Sequence, residues 1–284
     1  MPELPEVEVI CQGLIPHLIN RTILDIRCSG KQLRYPVQCQ KMSNELCNGK
    51  IISLSRRAKY LILKTDNGSA LIIHLGMTGN MGIFDKNSAT KKHDHICWQL
   101  DNKKELRFND TRRFGAVHLL PAKTAPQLEK QFFFKTGPEP FAPSCSIAYL
   151  TDLARRRKVG IKKFIMDSHV IAGIGNIYAN ESLFRASIHP EQPAASLSAK
   201  EWKYLRTIIR KTLKHAIQCG GSTISDFVDA SGKGGYFQMN FLIYGKRGEP
   251  CSRCGTTIKK ETIGGRASFF CPVCQSKQGS DPVI

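Results

Sequence analysis

No stretch of this 284-residue chain holds the roughly 18 consecutive apolar residues that a membrane-crossing helix requires. No basic-then-apolar leader runs into a small-residue cleavage site, so the expected location is the cytosol. Glycine-rich phosphate loops and dinucleotide fingerprints are missing where a strand would pass into a helix, which argues against nucleotide-cofactor chemistry. There is no internal repeat, which excludes solenoids and propellers. Negative charge is scarce: 23 Asp and Glu stand against 42 Lys and Arg, a net charge of +19. A polyanionic partner is therefore expected, with DNA, RNA and anionic lipid as the classes. The excess recurs at Arg56-Arg57-Lys59, Lys91-Lys92, Arg112-Arg113, Arg155 to Lys158, Lys162-Lys163 and Lys259-Lys260. Basic groups inside structured segments fit a shaped phosphate-binding face better than a loose tail does.

Cysteine, by contrast, is plentiful. Seven of the eleven (Cys11, Cys28, Cys39, Cys47, Cys97, Cys145 and Cys219) are scattered without close pairing and read as small buried hydrophobes in a reducing compartment. The other four form two close pairs, Cys251-x2-Cys254 and Cys271-x2-Cys274, sixteen residues apart. That spacing matches a tetrahedral four-thiolate zinc site. Four protein ligands leave no position for water, so one structural zinc is expected, pinning a hairpin over 257–270. A redox dithiol would need only one pair. At the hairpin tip, Gly264-Gly265-Arg266 presents a guanidinium either to solvent or to a phosphate.

The chain opens Met1-Pro2-Glu3-Leu4-Pro5. Methionine before a small residue is normally removed, which leaves the secondary amine of Pro2 beside Glu3. An α-amino group has a pKa near 8, so it is partly neutral at working pH and able to attack an electrophilic carbon. A frayed terminus is the alternative. Pro5 opens a helix whose stripe is Val7, Ile10, Leu14 and Leu18, placing Glu3, Glu6 and the amine at its N-terminal end.

From Thr22 to Leu120 short β-rich runs follow, at 51–54, 60–64, 70–75, 95–100, 105–108 and 116–119, which points to a sandwich or barrel. Five prolines between Pro121 and Pro143 mark a linker. A helical region comes next. Ser198 and Glu201 form a capping box, Trp202, Leu205, Ile209, Leu213 and Ala216 supply a stripe, and Gly220-Gly221 stops that helix. Between helical stretches at 161–167 and 176–184 lies Ala172-Gly173-Ile174-Gly175-Asn176, with Asn176 as N-cap. Two glycines before a helix N-terminus make a phosphate seat, although a plain turn has the same spacing. In His74-Leu75-Gly76-Met77-Thr78-Gly79, Met77 either caps the core or acts as a wedge in a base stack. Arg112-Arg113-Phe114-Gly115 repeats the combination of cation, aromatic and glycine.

These motifs resemble, in order and over the full length, the bacterial formamidopyrimidine-DNA glycosylases: MPELPEVE, HLGMTG, RRFG, AGIGNIYANESLF and the four-cysteine finger. The resemblance implies a multidomain α+β fold: a β-sandwich with a leading helix over 1–135, a linker and helix–two-turn–helix domain over 136–230, and a loop end with a zinc-finger hairpin over 231–284. It implies a monomer that excises oxidised purines from duplex DNA, cleaves abasic sites, and works on bacterial chromosomal DNA. Pro2 corresponds to the nucleophile, Glu3 to the acid-base group, Glu6 to its acidic neighbour and Lys59 to a phosphate contact assisting the chemistry. Met77, Arg112 and Phe114 match the trio filling the gap left by the flipped base, with Arg112 on the orphaned cytosine. His74, Lys162, Asn176, Lys260 and Arg266 match further DNA contacts, and 222–236 matches a loop closing over the base. The trio speaks against relatives that prefer oxidised pyrimidines. A non-enzymatic zinc-finger DNA-binding protein is the other alternative, but it leaves Pro2-Glu3 without a use. One departure, Ala267-Ser268-Phe269-Phe270, spares the thiolates and Arg266.

Overall fold

A computed structural model describes residues 2–221 and 241–276. The chain divides into two compact units: the first holds Met1–Lys135 together with 219–221, and the second holds Thr136–Gln218 together with 241–276. The expected closing loop at 222–236 lies outside the described residues, as does 277–284.

The first unit is a sandwich of two antiparallel four-stranded sheets. One has the order β1 (Ile23–Cys28), β6 (Asp94–Leu100), β7 (Lys104–Asp110), β5 (Gly79–Asp85); the other has β2 (Ile51–Arg57), β3 (Tyr60–Thr65), β4 (Ala70–His74), β8 (Ala116–Leu120). Helix α1 (Leu4–Leu18) puts Val7, Ile10, Leu14 and Leu18 into the same core as Ile26, Leu63, Ile73, Trp98 and Phe108. Alternation sorts the side chains of β4: Leu71 and Ile73 face this core. Ala70 and Ile72 join a second cluster under α3 (Ala125–Phe132). The six expected strands are present. Two more, β1 and β5, carry too many polar or glycine positions to show an alternating pattern in sequence. Helix α2 (Cys39–Leu46) is a further addition. It begins at Cys39, which is joined to Cys28 by a disulfide. The reading of these two cysteines as unpaired is thus corrected: the turn over 29–38 brings back together residues eleven positions apart.

The second unit packs α4 (Ile147–Arg155), α5 (Ile161–Met166), α6 (Asn176–Arg185) and α7 (Ala199–Gln218) around Trp202, Leu205, Ile209, Phe164 and Tyr178. The α7 capping box forms as read: Ser198 N donates to Glu201 Oε2 at 2.7 Å and Glu201 N to Ser198 Oγ at 3.3 Å. Two left-handed glycines, Gly220 and Gly221, end the helix. The N-cap of α6 is Gly175, not Asn176. Asn176 is the first helical residue, and its side chain is used elsewhere. Strands β9 (Lys259–Ile263) and β10 (Arg266–Phe270) form the finger hairpin, with Gly264 and Gly265 both at positive φ in its turn. No described helix is long and apolar enough to cross a membrane.

Candidate catalytic and nucleic-acid site

The head of α1 is held by a reciprocal capping box. The Glu3 carboxylate accepts from the Glu6 backbone, and Glu6 Oε2 accepts from Glu3 N at 2.8 Å. Two backbone donors that a helix start leaves orphaned are satisfied by two acids. Both side chains are only 2% exposed, with half-buried Pro2 immediately before them. Gly221 runs close to the acid at a φ of 85°, where a side chain is strained, and a β-carbon on it would lie 3.2 Å from Glu6 Cγ and 3.3 Å from Oε1.

Lys59 sits in the two-residue turn between β2 and β3, next to Ala58 at φ 55°. Arg56 ties that turn to α1: its Nε donates to Glu8 Oε2 at 2.6 Å and its Nη1 to Ala58 O at 2.9 Å. The lysine-bearing turn and the acid-bearing helix are thus fixed to each other through one guanidinium.

His74 ends β4, stacked obliquely 4.8 Å from the Tyr60 ring. Its Nδ1 accepts from Gly76 N at 3.1 Å, which leaves Nε2 to carry the proton. Burial, then the nearby Arg34 and Lys59 charges, push its pKa down to about 4 from 6.5. His74 is therefore a neutral donor at working pH. An unfolded chain takes up this proton near pH 6.5, the folded one only near pH 4, so stability falls as pH drops between them. The slope from this group is at most about 1.4 kcal/mol per pH unit. His74→Asn keeps an acceptor without the titration. Its urea-unfolding free energy should fall less steeply from pH 6.5 to 4.5 than that of the parent.

The two loops that follow β4 and β7 meet backbone to backbone. A β-carbon on Gly76 would lie 2.4 Å from Gly115 N and 2.4 Å from the Phe114 carbonyl carbon. Met77 is 40% exposed and Phe114 42%, and the Arg112 guanidinium lies 4.8 Å over the Phe114 ring. Two apolar side chains and a cation thus stand out from one compact platform. The core reading of Met77 fails on its exposure.

In the second unit Asn176 Nδ2 donates to Ala267 O at 3.0 Å. Lys162, expected among the DNA contacts, is turned inward. It is 1% exposed, and its ammonium donates to Ala267 O at 2.9 Å and Ser268 Oγ at 2.5 Å. A basic pair in sequence hides this because the partner segment lies more than 100 residues away. The departing Ser268 is thus the lysine's acceptor. Arg266 stays exposed, lining a cavity of about 320 Å³ with Arg157, Lys163 and Asp167. Lys260 is exposed on β9. Glu181, which the sequence does not single out, is fully buried and accepts from three successive backbone N–H groups, Leu242, Ile243 and Tyr244, at 2.9–3.1 Å.

The sulfurs of Cys251, Cys254, Cys271 and Cys274 lie within 4.8 Å of one another, with pairs at 3.4 and 3.9 Å. Four thiolates at zinc-bonding distance stand about 3.8 Å apart. Backbone N–H groups of Arg253 and Cys274 point at Cys251 and Cys271 Sγ, both at 3.4 Å, and temper thiolate charge. The donor set fits zinc.

Comparison with known proteins agrees with this arrangement. Three family models match: the formamidopyrimidine-DNA glycosylase N-terminal domain at 1–117, the H2TH domain of the same enzymes at 136–228, and the zinc finger found in FPG and IleRS at 248–277. The formamidopyrimidine-DNA glycosylase of Vibrio vulnificus is 44% identical over 277 residues, covering 97% of this chain and all of the relative. A Lactococcus lactis Fpg complex with DNA containing an abasic site superposes with a TM-score of 0.87 at 33% identity, and a MutM complex with DNA containing carbocyclic 8-oxo-G with 0.86 at 32%. Each covers 97% of this chain and all of the matched one. The chain belongs to the formamidopyrimidine-DNA glycosylase family.

Proposed function

We propose that this protein is a bifunctional DNA glycosylase and abasic-site lyase that excises oxidised purines, formamidopyrimidines and oxoguanine, from duplex DNA. The observation that carries the proposal is the pair of buried, reciprocally bonded acids directly behind Pro2. After removal of Met1, the Pro2 nitrogen attacks the sugar carbon of the flipped nucleotide. The damaged base departs with its bonding pair; the Pro2 nitrogen lone pair then opens the sugar ring, the bond from that carbon to the ring oxygen breaks, the oxygen takes a proton, and an iminium links protein and sugar. That cation acidifies the adjacent sugar protons, so successive β- and δ-eliminations release both phosphates and leave a one-nucleotide gap. Glu3 moves the protons, and Glu6 fixes Glu3. Lys59 and His74 hold phosphates next to the reacting sugar, one as a charge and one as a neutral donor. Met77 and Phe114 fill the vacated stack, with Arg112 turned to the unpaired cytosine. Asn176, Lys260 and Arg266 grip the backbone from the second unit. Functionally the chain divides into 1–135, 136–230 and 231–284. One zinc ion on the four cysteines fixes the finger and takes no part in bond breaking. The protein acts as a single chain in the bacterial cytoplasm, on chromosomal DNA.

Cleavage of a duplex with one oxoguanine opposite cytosine tests this. The expected product is a one-nucleotide gap with phosphate at both ends. An intact strand would leave the non-enzymatic binding protein. Faster cleavage at oxidised pyrimidines would reassign the substrate.

Positioning and wedging should separate in salt titrations. Arg266→Ala should weaken binding to damaged and undamaged duplexes alike and lower the slope of log K against log salt by about 0.9, one phosphate's share. Met77→Ala should leave the slope nearly unchanged, with a larger penalty on duplex lesions than on unpaired ones. Equal slope changes would contradict the division.

A further inference from the structure

Resting on the reading of Met77, Arg112 and Phe114 as the gap-filling trio, we propose that Asp110 is a positioning residue whose carboxylate locks the two loops bearing that trio into one unit. Asp110 is the last residue of β7 and is fully buried. Its oxygens are divided between the loops. Oδ1 accepts from Thr78 Oγ1 at 2.5 Å, one residue after Met77, and Oδ2 accepts from Gly115 N at 2.7 Å, one residue after Phe114. Thr78 closes the circuit, since its Oγ1 also accepts from Arg112 N at 3.0 Å. One hydroxyl and one carboxylate therefore reach the backbone or neighbour of all three gap-filling residues.

The clamp is fixed from behind. Asp110 N donates to His93 O at 3.0 Å, and its carbonyl oxygen lies 2.9 Å from His95 Nε2. It also accepts from Arg113 N at 3.3 Å, where Arg113 has a φ of 58°. The loops leave no slack: a β-carbon on Gly115 would come 2.6 Å from the Phe108 ring and 3.0 Å from Asp110 Oδ2. Two exposed apolar side chains on separate loops would otherwise move independently. Ordering both when the stack opens would cost conformational entropy at the step that must compete with base pairing. A carboxylate shared by both loops meets that cost at folding, which is preorganisation of the wedge.

The clean variant is Thr78→Val, which keeps the shape and removes the hydroxyl. On a duplex with oxoguanine opposite cytosine, its kcat/KM should fall on the order of tenfold or more, the worth of a hydrogen bond to a charged group. On a single-stranded abasic oligonucleotide, which has no partner strand and no stack to fill, it should match the parent. Thr78→Ser should restore the duplex rate. Asp110→Asn, which supplies only one acceptor, should share its loss with Thr78→Val, so the double variant is no worse than the poorer single one. Equal losses for Thr78→Val on both substrates, or no loss on the duplex, would overturn the clamp, as would failure of Thr78→Ser to rescue. Met77→Ala and Phe114→Ala on the same two substrates separate the layers. If they change the duplex-to-single-strand ratio and Thr78→Val does not, the clamp is wrong and the wedge stands. If none of the three changes it, the wedge reading falls as well.

Discussion

Replacement of Pro2 by glycine should lower the rate of oxoguanine release and strand cleavage by about a hundredfold while leaving affinity for lesion duplex close to that of the parent. Glycine still offers an amine after Met1 is removed, so the loss has two sources. The pyrrolidine ring fixes the direction of the nitrogen lone pair relative to the helix start at Leu4, and glycine frees it. A secondary amine also yields an iminium that is permanently cationic, whereas glycine's primary amine yields a protonated imine that can lose its proton and with it the pull on the sugar protons. None of the proposed phosphate contacts depends on this ring. Single-turnover cleavage and equilibrium binding, measured on the same preparation, separate the two effects. A variant that cleaved normally, or lost binding and cleavage in parallel, would remove Pro2 from the chemistry.

Substitution of Cys254 by serine should have the second-largest effect, by another route. The apolar cluster of the finger region is small: Phe184, Ile243, Ile258 and Phe269 with the buried Cys251 and Cys271. A handful of side chains at about 1.5–3 kcal/mol each cannot offset the entropy of ordering the segment. Zinc supplies roughly 10–16 kcal/mol in sites of this type. Losing one thiolate should therefore release zinc and unfold the hairpin, taking Arg266 and Lys260 out of place. Elemental analysis should fall from one zinc per parent chain to well below one. Limited proteolysis should cut between 257 and 270, and duplex affinity should drop at least tenfold, the share of about two phosphates. Zinc-free parent protein that kept a protease-resistant finger would contradict the structural role.

Local chemistry made much of this legible in the sequence. The stripe of α1, the capping box of α7 and the double cysteine pairs each depend on residues a few positions apart, and each took the form read. Three features depended on distant partners instead. Lys162 belongs in sequence to a basic pair expected to meet DNA, but its ammonium is taken up by Ala267 and Ser268. Asn176 had the composition of an N-cap, yet Gly175 holds that position and the amide reaches across to β10. Cys28 and Cys39 carry no pairing signal, because no local pattern in the ten residues between them fixes how the chain returns. Asp110 was silent for the same reason. A single acid before an arginine pair has no periodicity, and only the fold shows its two oxygens serving two loops.

The most direct measurement is borohydride trapping on a duplex containing one oxoguanine, followed by peptide mass mapping of the cross-linked protein. The mature N-terminal peptide should carry the reduced sugar adduct on the nitrogen of Pro2, in a chain that has lost Met1. An adduct on Lys59 or any other lysine, with the Pro2 amine free, would contradict the mechanism.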